Sequence, residues 1–138
     1  MDRRTILTVE DQPNIRRLIA YVLTKAGYKV MQAEDGEAAV HVLQRHVPDL
    51  ILLDVRMPKM DGFELLSLLR KYEAAASIPV VILTSLNTPR DLDRALELGV
   101  IEYLTKPIEP KTLMRRVNEI LGGPLTAEPT PPGRQPTD

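Results

Sequence analysis

Residues 50–62 read LILLDVRMPKMDG. Leu50–Leu53 is a continuous apolar run of strand length, the pattern of a strand covered on both faces. It ends in Asp54, and Pro58 and Gly62 punctuate the segment that follows. A carboxylate at the mouth of a buried strand costs free energy unless a cation or hydrogen-bond donors use it. The rest of the chain must supply them.

Short β-rich runs alternate with helical patterns on either side of this stretch. Thr5–Val9 (TILTV), Tyr28–Ala33 (YKVMQA), Pro79–Leu83 (PVVIL) and Val100–Leu104 read as further strands. Pro13 suits the first position of a helix in which Ile15, Leu18, Ile19, Val22 and Leu23 recur at helical spacing, and Gly27 ends it. Gly36–His46, Phe63–Tyr72, Pro89–Leu98 and Pro110–Leu121 read as the remaining helices, the last two closed by Gly99 and by Gly122–Gly123. Five strand–helix units with apolar strands predict an α/β fold: a parallel sheet with helices on both faces. Such sheets bind ligands beyond the carboxyl ends of their strands. The segment from Pro124 to Asp138 is rich in proline and polar residues with little to bury. The sequence thus predicts a domain over 1–122 and a disordered tail or truncated linker over 123–138.

Composition narrows the functions. The chain has 138 residues, which points to one domain, and 43% hydrophobic with 27% charged residues is globular composition. A net charge of −1 gives no bulk attraction to nucleic acid or an anionic membrane. The absence of cysteine excludes disulfides, thiolate metal sites and cysteine nucleophiles. No apolar segment approaches the roughly 20 residues that span a bilayer. The N-terminal apolar run is broken by Glu10 and Asp11 too soon for a signal peptide. A soluble cytoplasmic protein is expected.

The strand ends carry the chemistry. The first ends in Glu10–Asp11, the third in Asp54 and the fourth in Thr84–Ser85; Lys106–Pro107 follows the fifth. With the first, third and fourth strands near the centre of a parallel sheet, these groups converge. Carboxylates ~4 Å apart repel by about 4 kcal/mol per pair at an effective dielectric near 20. Such a site requires a cation, and carboxylates with waters and a phosphate are the usual surroundings of Mg2+. Lys106 and Thr84 can meet phosphoryl oxygens, and Asp54 is placed as an in-line nucleophile that forms an aspartyl phosphate. Singly, each of these residues is as well explained as a cap, a turn or a surface loop. Their joint placement favours a site. His41 and His46 have no partner at metal-ligand spacing and are read as solvated.

The segments VEDQPNIRRL, DLILLDVRMPKMDGFELL, IPVVILTS and GVIEYLTKPIEP resemble, in order and spacing, the receiver domain of bacterial two-component response regulators. The resemblance covers residues 4–121. It implies a flavodoxin-like (βα)5 sheet with strand order 2-1-3-4-5. It implies that Asp54 is the phosphoacceptor, and that Asp11, Glu10 and the backbone carbonyl of Arg56 help Asp54 hold Mg2+. Thr84 becomes the switch hydroxyl, Tyr103 the switch aromatic, and Lys106 and the Ser85 backbone N–H contacts of the phosphoryl group. A cis Lys106–Pro107 bond is also implied, an isomer that proline makes accessible. Pro58 and Gly62 shape the loop after Asp54. Arg56 and Leu86 flank the path of attacking water, where a large Arg and an apolar Leu would slow hydrolysis of the phosphate by shielding it.

Partners implied by the resemblance are a histidine kinase or phosphotransfer protein, and a target protein or second receiver. The latter would bind the surface of the fourth helix, fifth strand and fifth helix, with a phosphorylation-dependent dimer as one outcome. Nothing after Leu121 can form an output domain, so no direct nucleic-acid contact and no membrane contact are expected of this chain. Two other readings compete. A haloacid-dehalogenase-like phosphatase also uses a strand-end aspartate with Mg2+ and lysine, but it wants an acid two residues later, where Arg56 stands. A pseudo-receiver that never takes phosphate would typically lack one of the acidic pair, the acceptor or the lysine, and all are present.

Overall fold

The structure is a computed structural model and describes residues 3–56, 61–72, 75–85 and 88–125. Five strands alternate with five helices: β1 (Thr5–Val9), α1 (Pro13–Lys25), β2 (Lys29–Ala33), α2 (Gly36–Leu43), β3 (Leu50–Leu53), α3 (Gly62–Lys71), β4 (Val80–Thr84), α4 (Pro89–Glu97), β5 (Glu102–Thr105) and α5 (Pro110–Leu121). The strands form one parallel sheet in the order β2-β1-β3-β4-β5.

Strand periodicity explains why the apolar runs have no polar side. Successive side chains alternate between the faces of a sheet. Leu7, Val9, Ile51, Leu53, Val80 and Ile82 pack in one core with residues of α2, α3 and α4. Ile6, Leu50, Leu52, Val81 and Leu83 pack in a second core with α1 and α5. Each residue of LILL is therefore buried, two on each side.

Local signals set the helix starts. Pro occupies the first turn of α1, α4 and α5, where its missing N–H has no helical partner to lose. Asp35, Asp61 and Thr88 cap α2, α3 and α4 by accepting from the N–H of Ala38, Glu64 and Asp91. Across the α3–α4 seam the Arg94 guanidinium lies over the Phe63 ring, 4.3 Å from its centroid.

Several boundaries differ from the sequence reading for physical reasons. β4 begins at Val80 rather than Pro79, because proline has no N–H to give the ladder. β5 begins at Glu102 rather than Val100; the N–H of Val100 still closes the end of α4 on the Ala95 carbonyl. Within the segment expected as a tail over 123–138, Pro124 and Leu125 lie against the domain. Arg4 N–H donates to the Pro124 carbonyl at 2.6 Å, and Leu125 bridges antiparallel to Arg3. Gly27, at φ 102°, admits the Pro124 ring; a Cβ there would lie 3.0 Å from Pro124 Cγ. The remainder of the predicted tail, Pro58 and Leu86 lie outside the described residues. Among the described residues, no helix is long and apolar enough to cross a membrane.

Candidate functional site

The register brings the strand ends together. Val9 pairs with Leu53, so Glu10 and Asp54 leave adjacent strands at the same level. Asp54 N–H donates to the Val9 carbonyl at 3.0 Å, and Glu10 N–H to the Ala33 carbonyl at 3.0 Å. Leu53 pairs with Ile82, so Thr84 stands one residue further out than Asp54, about 3.3 Å along the strand. Thr105 pairs with Thr84, and Lys106 N–H donates to the Thr84 carbonyl at 2.8 Å. From there the lysine side chain reaches back past the end of β4. The Lys106–Pro107 peptide bond is cis.

Glu10, Asp11 and Asp54 form a cluster whose carboxylate oxygens lie within 4.8 Å of one another. Glu10 and Asp54 are buried, at 1% and 5% exposure, and Asp11 is half-buried. Lys106 Nζ donates to Glu10 Oε1 and, at 2.9 Å, to Asp54 Oδ2. Asp54 Oδ1 accepts from the N–H of Arg56 at 2.9 Å. One ammonium among three carboxylates leaves the cluster short of positive charge. Burial, with Lys106 opposing it and the charge of Asp54 adding to it, raises the Glu10 carboxyl to about 7. Burial alone would lower Lys106, but its bonds to Glu10 and Asp54 outweigh it and hold the ammonium above its ordinary value. Three oxygen donors this close, two of them out of water, fit a hard divalent cation; an ion there would offset the burial and the repulsion that raise Glu10.

A cleft of about 740 Å³ opens beside the cluster. Asp11, Asp54, Ser85 and Lys106 line its polar end; Ile15 of α1 and Leu113 of α5 line its apolar part. Arg56 also lines it, and Ser85 and Pro107 are exposed. Thr84 is fully buried. The alternation of Val80 and Ile82 carries its side chain to the α2–α3–α4 face, where Tyr103 also packs. Tyr103 lies opposite Ile82 in the register. Burial first, then the charges of Asp91 and Asp54, raise its phenol and keep it neutral. The hydroxyl and the ring thus share one face, while the cleft opens on the other.

Gly62 contributes through its missing side chain. A Cβ there would lie 2.5 Å from Val55 Cα and 2.7 Å from the Asp54 carbonyl oxygen. Its N–H donates to the Val55 carbonyl at 3.1 Å, so the start of α3 is seated on the backbone that carries Asp54. Sequence reasoning missed Arg16, whose Nη1 donates to the Glu10 carbonyl at 2.8 Å. The available signal was a pair of arginines near the start of α1, where the helix dipole disfavours cations.

The chain belongs to the response regulator receiver domain family, whose model matches residues 6–118. It is 40% identical over 118 residues to the phosphate regulon transcriptional regulatory protein PhoB of Klebsiella pneumoniae, covering 86% of this chain and 52% of that protein. It is 38% identical over 121 residues to the probable transcriptional regulator ycf27 of Porphyridium aerugineum, covering 88% of this chain and 49% of that protein. The chain thus spans about half the length of these curated relatives. Among solved structures, the Vibrio cholerae chemotaxis protein CheY4 superposes with a TM-score of 0.83 at 32% identity, covering 87% of this chain and all of that one. The receiver domain of the sensor histidine kinase PA1611 of Pseudomonas aeruginosa PAO1, solved with magnesium coordinated in its active-site cleft, superposes with a TM-score of 0.80 at 32% identity. That match covers 88% of this chain and all of the other.

Proposed function

We propose that this receiver is a phosphorylation switch in which Asp54 accepts a phosphoryl group with Mg2+ held by Glu10, Asp11, Asp54 and the Arg56 carbonyl. The observation that carries it is the cluster of Glu10, Asp11 and Asp54 with Lys106 reaching Asp54. The ion would neutralise developing charge on the transferred group, the main requirement of phosphoryl transfer. The magnesium in the PA1611 receiver supports the choice of ion.

The residues of the chain divide the work. Asp54 Oδ attacks phosphorus in line, and the donor's leaving group departs on the opposite side. The cleft is the open approach, with a histidine kinase or phosphotransfer protein as donor. Lys106 exchanges a bond to Asp54 for one to a phosphoryl oxygen, and the Ser85 N–H takes another. The phosphate adds about −1.5 to −2 of charge, which draws the Thr84 hydroxyl across the sheet end. Tyr103 then turns into the space that Thr84 leaves. The α4–β5–α5 surface reports the change to a target protein or second receiver, in the cytoplasm. The regulators PhoB and ycf27 support an attached output that acts on transcription.

Intact-protein mass after incubation with acetyl phosphate tests the reading. One phosphoryl mass is expected, dependent on Mg2+ and absent in Asp54→Asn. No gain in the wild type, where a control receiver is labelled, would contradict it and favour a constitutive binding module.

A further inference from the structure

The turn from β1 into α1 presents two of the three clustered carboxylates, and Lys106 holds the Glu10 side chain there. Gln12, the N-cap of α1, makes no side-chain capping bond, and the first turn of the helix holds no acidic residue. Glu10 N–H is fixed to the Ala33 carbonyl of β2 at 3.0 Å. Beyond that point the Gln12 N–H reaches Glu10 Oε2 at 3.3 Å, a long bond that must yield if the carboxylate turns to a cation. The peptide between Glu10 and Asp11 is held on its carbonyl side by Arg16, whose Nη1 donates at 2.8 Å across the first turn of α1. Arg16 is half-buried in this position.

We propose that Arg16 is a positioning residue for the metal site, acting through the Glu10 carbonyl to hold the Glu10–Asp11 peptide so that both carboxylates face Asp54; this rests on the reading of that cluster as a cation site. A guanidinium near a helix N-terminus opposes the helix dipole, so its placement calls for a compensating partner, and the Glu10 carbonyl is one. The bond is to the backbone and survives any rotation of the Glu10 side chain toward an ion. Without it, the peptide can rotate and the Asp11 carboxylate loses its fixed distance to Asp54. Residues that orient metal ligands from behind typically change affinity 10–100-fold when removed.

The test is direct binding of Mn2+, followed by loss of the free-ion paramagnetic resonance signal, in the full chain with no phosphodonor present. Arg16→Met should weaken Mn2+ by about tenfold or more, and Arg16→Lys should recover part of the loss. In an Asp11→Asn background, Arg16→Met should add little, since the two changes remove the same ligand placement. Arg16→Met within twofold of the wild type, or an equal loss in both backgrounds, would overturn the proposal. If Arg16→Met does not fold, Arg16→Gln and Arg16→Lys carry the comparison, with circular dichroism showing that the helices are intact. A wild type that binds no Mn2+ would overturn the cation site itself and this proposal with it; a wild type that binds, matched by its variants, overturns only the role of Arg16.

Discussion

Glu10 is a carboxyl kept from full ionisation first by its burial at the sheet end and then by the charge of Asp54. Its folded-state value of about 7 lies above the ordinary 4.5. Between those values the unfolded chain has released a proton that the folded chain still holds, so stability falls as pH rises through this window. The metal-free protein should therefore lose stability from pH 5 to pH 7.5 relative to its Glu10→Gln variant. Mg2+ requires the carboxylate, so added Mg2+ should reverse the trend at the upper end. Thermal unfolding of both proteins with and without Mg2+ checks this. Parallel pH profiles for wild type and variant would contradict it. Burial of Asp54 at a strand end was legible in the sequence, because LILL leaves no solvated face. The bridging of Glu10 and Asp54 by one lysine was not, since the strands they leave are separate in sequence and joined only by register.

α4 packs on the core face that Tyr103 also joins, and Arg70 of α3 ties down its far end. Arg70 donates from Nε to the Leu98 carbonyl at 3.0 Å and from Nη2 to the Gly99 carbonyl at 3.2 Å. Its Nη1 reaches the carbonyls of Ala76 at 2.9 Å and Ile78 at 3.1 Å. Burial lowers its guanidinium from the ordinary value, and the planar fork matches four acceptors that no shorter or rounder cation could satisfy together. Arg70→Met should destabilise the domain by about 2 kcal/mol, and Arg70→Lys should recover less than half of that. Denaturant unfolding monitored by circular dichroism measures both; an unchanged midpoint would contradict the account. Helix starts were readable from Pro13, Pro89 and Pro110, and stops from Gly27, Gly99 and Gly122. Arg16 and Arg70 were not readable in their roles. A side chain that bonds a backbone carbonyl leaves no complementary residue in the sequence to reveal it.

The whole sheet is what turns scattered residues into a site. Strand order 2-1-3-4-5 puts β1 beside β3 and β4 beside β5, and the parallel direction puts every strand's carboxyl end at one edge. Alternation along each strand then sends Thr84 and Tyr103 to the α4 face while the cleft opens toward α1 and α5. The order of strands followed from family resemblance rather than from periodicity, which fixes faces but not neighbours. The contacts of Pro124 and Leu125 with Arg3, Arg4 and Gly27 were not legible, because proline and glycine read as linker; here the Pro124 ring fits a space that only a glycine leaves.

The central claim is that Asp54, among three neighbouring carboxylates, is the one that takes the phosphoryl group. Treatment with acetyl phosphate and Mg2+, followed by borohydride reduction, converts a phosphorylated aspartate to homoserine, which peptide mass spectrometry locates. The account predicts homoserine at position 54 alone, and only when Mg2+ is present. Reduction at Asp11, or none at position 54 in protein that has gained phosphoryl mass, would contradict it.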